Sequence, residues 1–158
     1  MGITPTFKPS DIKKRLDAFL KVVEKRQIER LQRLGELCII HQKANRGYTD
    51  QTANLLSSTG YMVFVNGIAV HTAYEQESPK VSKSGVTYDG AQQGESLARK
   101  IGSKYSNGVC LVVTAGMDYA VKVESMGKDV LTSAEIYAKQ ELPKMIKELK
   151  ANINKALD

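Results

Sequence analysis

Apolar positions step along the first third of the chain at helical spacing. Ile12, Leu16, Phe19 and Val23 recur at intervals of four, three and four, and Ile28, Leu31, Leu34 and Cys38 continue the stripe after a slight rotation. The spacing predicts one long helix over residues 11–45, with Ser10 as N-cap, Asp11 in the first turn and Asn45-Arg46-Gly47 as its end. Gly35 inside it predicts a bend or a close contact. The segments YMVFV and IAVHT flank Asn66-Gly67, the dipeptide favoured in two-residue type I′ turns, so they predict a hairpin. ESLARKIGSKY predicts a short helix over about 91–104. VCLVVTA is a continuous apolar run after Asn107-Gly108 and predicts a central strand covered on both faces. Residues 117–125 fit a strand or a short helix. Thr132-Ser133-Ala134-Glu135 reads as a capping box opening a last helix over about 133–156. Pro143 is expected to kink or restart that helix, and Ile136, Leu142, Met145, Ile146, Leu149 and Ile153 to form its buried side. The expected fold is α+β: a long N-terminal helix and a C-terminal helix packed on a small, mostly antiparallel sheet with a β-hairpin. Residues 1–158 are read as a single domain, with 1–9 as an extended arm and 73–90 as a long loop.

Charge changes this picture more than composition does. A chain of 158 residues buries a core without staples. Residues 1–46 hold eleven Lys/Arg and five Asp/Glu, whereas residues 47–158 hold twelve of each, so the whole net charge of +6 sits in the first third. That asymmetry points to a partner surface. With seven Tyr, three Phe and no Trp, an aromatic-lined sugar or base-stacking groove is disfavoured. No apolar run approaches the roughly 18 residues of a membrane span, and MGITPTFKPSDIKK lacks the apolar core of a signal peptide, so no membrane partner is expected. Gly2 with Thr6 meets the myristoylation pattern only in its loosest form. Cys38 and Cys110 each lie in an apolar run, which suits two buried free thiols in a cytosolically made protein, with a disulfide between them as the lesser alternative.

The candidate chemistry does not assemble into a catalytic set. His41 stands three residues after Cys38, but no CxxC, HxxxH or HxH supplies further metal ligands. His71 has neither a nucleophile nor an orienting partner near it in sequence. Gly85, Gly90 and Gly94 precede a helix, yet their spacing fits neither the dinucleotide fingerprint nor the Walker pattern. Asp50, Asp118 and Glu124 are scattered singly, where a magnesium nuclease converges several carboxylates. In YTDQTANLLSSTGYMVF, residues 48–64, Thr49 and Asp50 suit a turn, Leu55 and Leu56 an anchor, and Ser57, Ser58, Thr59 and Gly60 the entry to the hairpin. No catalytic residue, cofactor or metal is therefore expected, and the chain is read as a non-enzyme. The basic helix suits phosphate contacts as well as protein ones. Five acids interrupt it and no recognition motif accompanies it, so a nucleic-acid-binding module stands as the alternative to a protein partner.

Two segments carry a family resemblance. The first is Asp50-Gln51-Thr52-Ala53-Asn54-Leu55-Leu56-Ser57-Ser58, and the second is Met117-Asp118-Tyr119-Ala120-Val121-Lys122-Val123-Glu124-Ser125-Met126-Gly127. Their order, between a basic N-terminal helix and a C-terminal helix, resembles the tail-completion or head–tail joining proteins of long-tailed bacteriophages and prophages. That family's pattern is D-x-T-G-x-L-x-x-S entering a hairpin, then N/D-Y-A-x-x-V-E-x-G. The resemblance covers residues 11–155 and rests on Asp50, Thr52, Leu55, Ser58, Tyr119, Ala120, Glu124 and Gly127. There are two departures. Ala53 replaces the usual glycine, which predicts that the position does not need positive φ, and two residues separate Glu124 from Gly127. The resemblance implies a virion structural protein, made in the host cytoplasm, that joins a ring of neck and tail proteins without any cofactor. Arg26, Arg30 and Arg33 on the basic helix are the expected partner-binding residues.

Overall fold

Helix α1 spans Pro9–Asn45 in the computed structural model, which describes residues 8–50, 52–77 and 89–157. Its N-cap is Lys8 rather than Ser10. Proline fits the first helical position because the N–H it lacks would be unpaired there anyway. The four-residue α2 (Asn54–Ser57) leads into β1 (Thr59–Val65) and then β2 (Ile68–Ala73). Asn66 and Gly67 join the two strands with φ of 52° and 80°, as the type I′ turn requires. Helix α3 (Gly90–Gly102), β3 (Val109–Ala115), α4 (Ala120–Ser125) and α5 (Thr132–Leu157) complete the chain. Residues 117–125 thus resolve largely as helix. Residues 1–7 of the expected arm and 78–88 of the expected loop lie outside the described residues.

The sheet runs in the order β2-β1-β3, with both pairings antiparallel. The central strand is therefore β1, and VCLVVTA is an edge strand, contrary to its expected central place. The other half of the expectation holds and accounts for its apolar run: both of its faces are covered. Val112 and Cys110 face α3 with Met62, Phe64 and Ala98. Leu111 and Val113 face the other way, toward Leu34 and Cys38 of α1 and Ala134 of α5. Gly35 is a close contact, since a Cβ there would collide with the Tyr61 ring.

Helix α5 continues through Pro143 without interruption. Its predicted capping box does not form: Thr132 donates its hydroxyl to Glu124, and Glu135 pairs with Lys139 on the helix surface. Its predicted buried side holds in part: Met145, Leu149 and Ile153 are half-buried toward α1, whereas Ile136, Leu142 and Ile146 are 52%, 39% and 45% exposed, and Ala134, Tyr137 and Ala138 take their place against α1. Small side chains at 134 and 138 let the two helices approach closely, which bulky isoleucines would prevent. The first turns of α1 differ from expectation too, because Ile12 and Leu16 are 51% and 53% exposed. No helix among the described residues is long and apolar enough to cross a membrane.

Candidate functional site

The two segments of the resemblance meet in one structural node. Leu55, buried from the first segment, packs with Ala115, Ala120 and Val130, and Met117 and Val123 close around them. Thr52 lies beside the hydroxyl of Tyr119. Burial raises the Tyr119 pKa, the charge of Asp50 adds to the rise, and the contact with Thr52 opposes it. A small cleft of about 340 Å³ opens at the edge of the node, between Arg46, Tyr48, Asp50 and Glu77.

The carboxylates and serine hydroxyls of the node hold backbone. Asp50 Oδ2 accepts from Leu56 N at 2.7 Å and Oδ1 from Thr52 N at 3.3 Å, which fastens α2 to the chain that precedes it. Ser57 Oγ donates to Ala53 O at 2.7 Å and accepts from Glu77 N at 3.0 Å. Ser58 Oγ donates to Leu55 O at 2.8 Å. In the second segment, the Glu124 carboxylate gathers Val130 N at 2.9 Å, Leu131 N at 2.8 Å and Thr132 N at 3.3 Å, together with the Thr132 hydroxyl. Three backbone amides leading into α5 and one hydroxyl are thereby met by one carboxylate, and its charge suits the helix N-terminus. Asp129 completes the cap by accepting from Ser133 N at 3.1 Å. Gly127, at φ 73°, reverses the chain after α4 so that Glu124 can face those amides.

Ala53 corrects an expectation. Its φ is 58° and ψ 6°, the left-handed region, although the alanine pointed to an ordinary conformation. The node requires that turn because α2 must begin with its amides aimed at Asp50 and Thr52. The position where the family pattern carries glycine is thus one where glycine would be the unstrained choice.

The other candidates are placed apart from the node and are engaged elsewhere. His41 stacks on Tyr137 with ring centroids 4.0 Å apart. His71 Nε2 lies 3.1 Å from the Tyr61 hydroxyl. Burial, with the Glu36 carboxylate nearby, pushes the Tyr61 pKa up to about 12. Cys38 donates to Ala134 O at 3.6 Å, and burial pushes its thiol up to about 11, which keeps it protonated and unreactive. Cys38 and Cys110 are both free thiols. Gly90 and Gly94 pack α3 against the carbonyls of Asn54 and Ser58, so they serve close approach and do not cradle phosphate. Among the described residues, no group of three or more His, Cys, Asp or Glu side chains could hold a metal ion.

Arg26, Arg30 and Arg33 stand well away, on the α1–α5 pair. Cys38 meets Ala134 and Arg30 meets Glu148, so the two helices run antiparallel. A groove of about 950 Å³ opens between them, and all three arginines line it. Arg30 bonds Glu148 at 3.2 Å and Met145 O at 3.3 Å, and Arg26 pairs with Glu29 on its own helix. The signal for this seam was in the sequence. Arg26, Arg30, Arg33 and Leu37 extend the four-three spacing of Ile12, Leu16, Phe19 and Val23, so arginines occupy positions where a helix pair ordinarily places apolar side chains.

Compared with protein-family models, curated proteins and solved structures, the chain matches none.

Proposed function

We propose that this chain is a structural subunit of the neck of a long-tailed bacteriophage or prophage, a head–tail joining or tail-completion protein. It works by ring-type assembly with neighbouring neck and tail proteins and catalyses no reaction. The observation that carries the reading is the convergence of the two resembling segments. Asp50, Thr52 and Leu55 from one, and Tyr119, Ala120 and Glu124 from the other, build a single node although some sixty residues separate them. The node's carboxylates and serine hydroxyls are engaged with backbone groups, so its residues serve shape and not turnover. The basic outer half of α1 is the surface that meets a partner, and the protein is made in the host cytoplasm before joining the virion.

Mass spectrometry of purified particles tests this. The particles come from the phage or induced prophage that carries the gene. The expected result is a fixed stoichiometry of about six or twelve copies, as closed rings give. Absence from particles removes the reading. Titration of the protein with duplex DNA across a salt series then becomes the deciding measurement, because phosphate binding by α1 would weaken steeply with salt.

A further inference from the structure

Leu16 and Leu34 lie on the same face of α1, eighteen residues and five helical turns apart. Leu34 is 1% exposed and Leu16 is 53% exposed. Inward from the groove, that face is covered by the sheet and by α5. Outward, Ile12, Leu16 and Leu20 are each more than half exposed, and nothing among the described residues covers them. Phe19 and Val23 of α1 face Leu149 and Ile153 of α5 across the groove and make its walls apolar. From Ile12 to Val23 the stripe and the apolar end of the groove form one continuous surface about three turns long, the length of a short docked helix.

Charge decides what fits it. Residues 8–26 carry seven Lys/Arg and three Asp/Glu. At 3.6 residues per turn, Arg15 stands beside one edge of the stripe and Lys13 beside the other, with Glu24 next beyond Lys13 and Asp17 and Asp11 further round the helix. None of Lys13, Arg15, Lys21 or Lys25 has an ion-pair partner among the described residues. Charges beside an apolar seam select the partner helix by sign. A second copy docked on this face would set basic flanks against basic flanks.

We propose that the outer half of the α1–α5 pair seats an amphipathic helix with acidic flanks, contributed by a different protein of the assembly. The proposal deepens the neck-assembly reading and rests on it for where that protein is found.

The probe is a three-heptad synthetic helix with Leu at its seam positions and Glu beside them, titrated into the full chain and followed by fluorescence anisotropy. The control peptide has Lys in place of each Glu. The expected result is that the acidic peptide binds, weakens with salt, and outcompetes the basic one by about tenfold or more, each tenfold being about 1.4 kcal/mol. Leu16→Asp, at an exposed position, keeps the circular dichroism melt unchanged and abolishes that binding. Lys13→Glu with Arg15→Glu shifts the preference toward the basic peptide. Equal binding of both peptides, no binding of either, or indifference to Leu16→Asp overturns the proposal. So does self-association of the chain that Leu16→Asp removes, which would assign the face to a second copy. Binding of phosphatidylglycerol vesicles or duplex DNA in place of the peptide overturns it as well. The peptide titration reads this surface alone, so its failure leaves particle incorporation standing, and absence from particles leaves the peptide result standing.

Discussion

The inner and outer halves of α1 have the same amphipathic pattern and opposite fates. Around Leu34, Gly35 and Cys38 the helix lies on the sheet and against Ala134, and its apolar face is covered, although Ile40 on another side of the helix stays exposed. Around Ile12, Leu16 and Leu20 it projects with its apolar face in solvent. Periodicity shows which side of a helix is apolar and does not show what covers it. Burial is a property of the neighbours, and the outer half has too few of them in a single chain. On the docking proposal, an apolar face left uncovered in this way is an interaction surface.

The sharpest test of that contrast uses one residue type on one helix. Leu34→Ala should cost about 2–5 kcal/mol in chemical denaturation, because it opens a cavity at a fully buried position. Leu16→Ala should change stability by no more than about 0.5 kcal/mol, as exposed sites do. Comparable losses at both positions would mean that the outer half is packed in the free chain, and the docking surface would disappear with it.

Next in size is Glu124. Glu124→Ala leaves three amides at the entry to α5 without their carboxylate, and Val130, which carries one of them, is buried at 1% exposure. The expected loss is about 2 kcal/mol, the upper end for a helix cap, since the acceptor is charged. Glu124→Gln should recover part of it. A loss below about 0.5 kcal/mol would show that water replaces the carboxylate and that the node is less closed than its geometry implies.

Alkaline stability sharpens the inner half further. Tyr61 is raised to about 12, so the folded state holds its proton more tightly than an unfolded chain with a value near 10. The stabilisation is complete below about pH 10 and is lost as pH rises through about 12. Tyr61→Phe should flatten the fall in melting temperature between about pH 10 and 12 relative to the parent chain. An unchanged slope would locate the titration elsewhere, with Tyr74, also raised to about 12 by burial, as the next residue to change.

Ala53 carries a smaller effect of opposite sign. Holding alanine in the left-handed region costs about 1–2 kcal/mol, against about 0.4–1 kcal/mol of extra chain entropy that glycine loses on folding. Its methyl is also buried. Ala53→Gly should therefore stabilise the chain modestly, by about 0.5 kcal/mol in denaturant midpoint analysis. Destabilisation would show that methyl packing outweighs the strain.

Ala53 also shows where the sequence stops being legible. The hairpin was readable because Asn66-Gly67 determines its own turn from two adjacent residues. The α+β layout and the long helix were readable from local patterns too, whereas Gly35 left a bend and a close contact equally open, and the Tyr61 ring against it decides for the contact. The φ of Ala53 was not, because Asp50 and the amides of α2 impose it and the alanine gives no sign of it. Glu124 was missed as a cap because it stands eight residues before Thr132, beyond the three-residue spacing that marks a capping box. On α5, counting apolar residues favoured Ile136 and Ile146, whereas close helix packing selected Ala134 and Ala138. The node depends on contacts between segments far apart in sequence, which spacing alone does not report.

The smallest expected effect on folding belongs to the three arginines. Arg30, its side chain 25% exposed, pairs with Glu148, which is 70% exposed, and donates to Met145 O, so together these contribute about 1 kcal/mol. Arg26 pairs only with Glu29 of its own helix, and Arg33 has no ion-pair partner among the described residues. Replacing all three with Glu should therefore move the denaturation midpoint little, by the equivalent of about 1 kcal/mol or less. The same change reverses the charge of the groove and, on the assembly reading, prevents heads from joining tails in a plaque or particle assay. Normal joining would take the arginines out of the partner surface. Failed joining with a normal melt would place function on the half of the molecule that contributes least to its own stability. That division is what an interface needs, since a seam already closed within one subunit would have nothing left to offer the next.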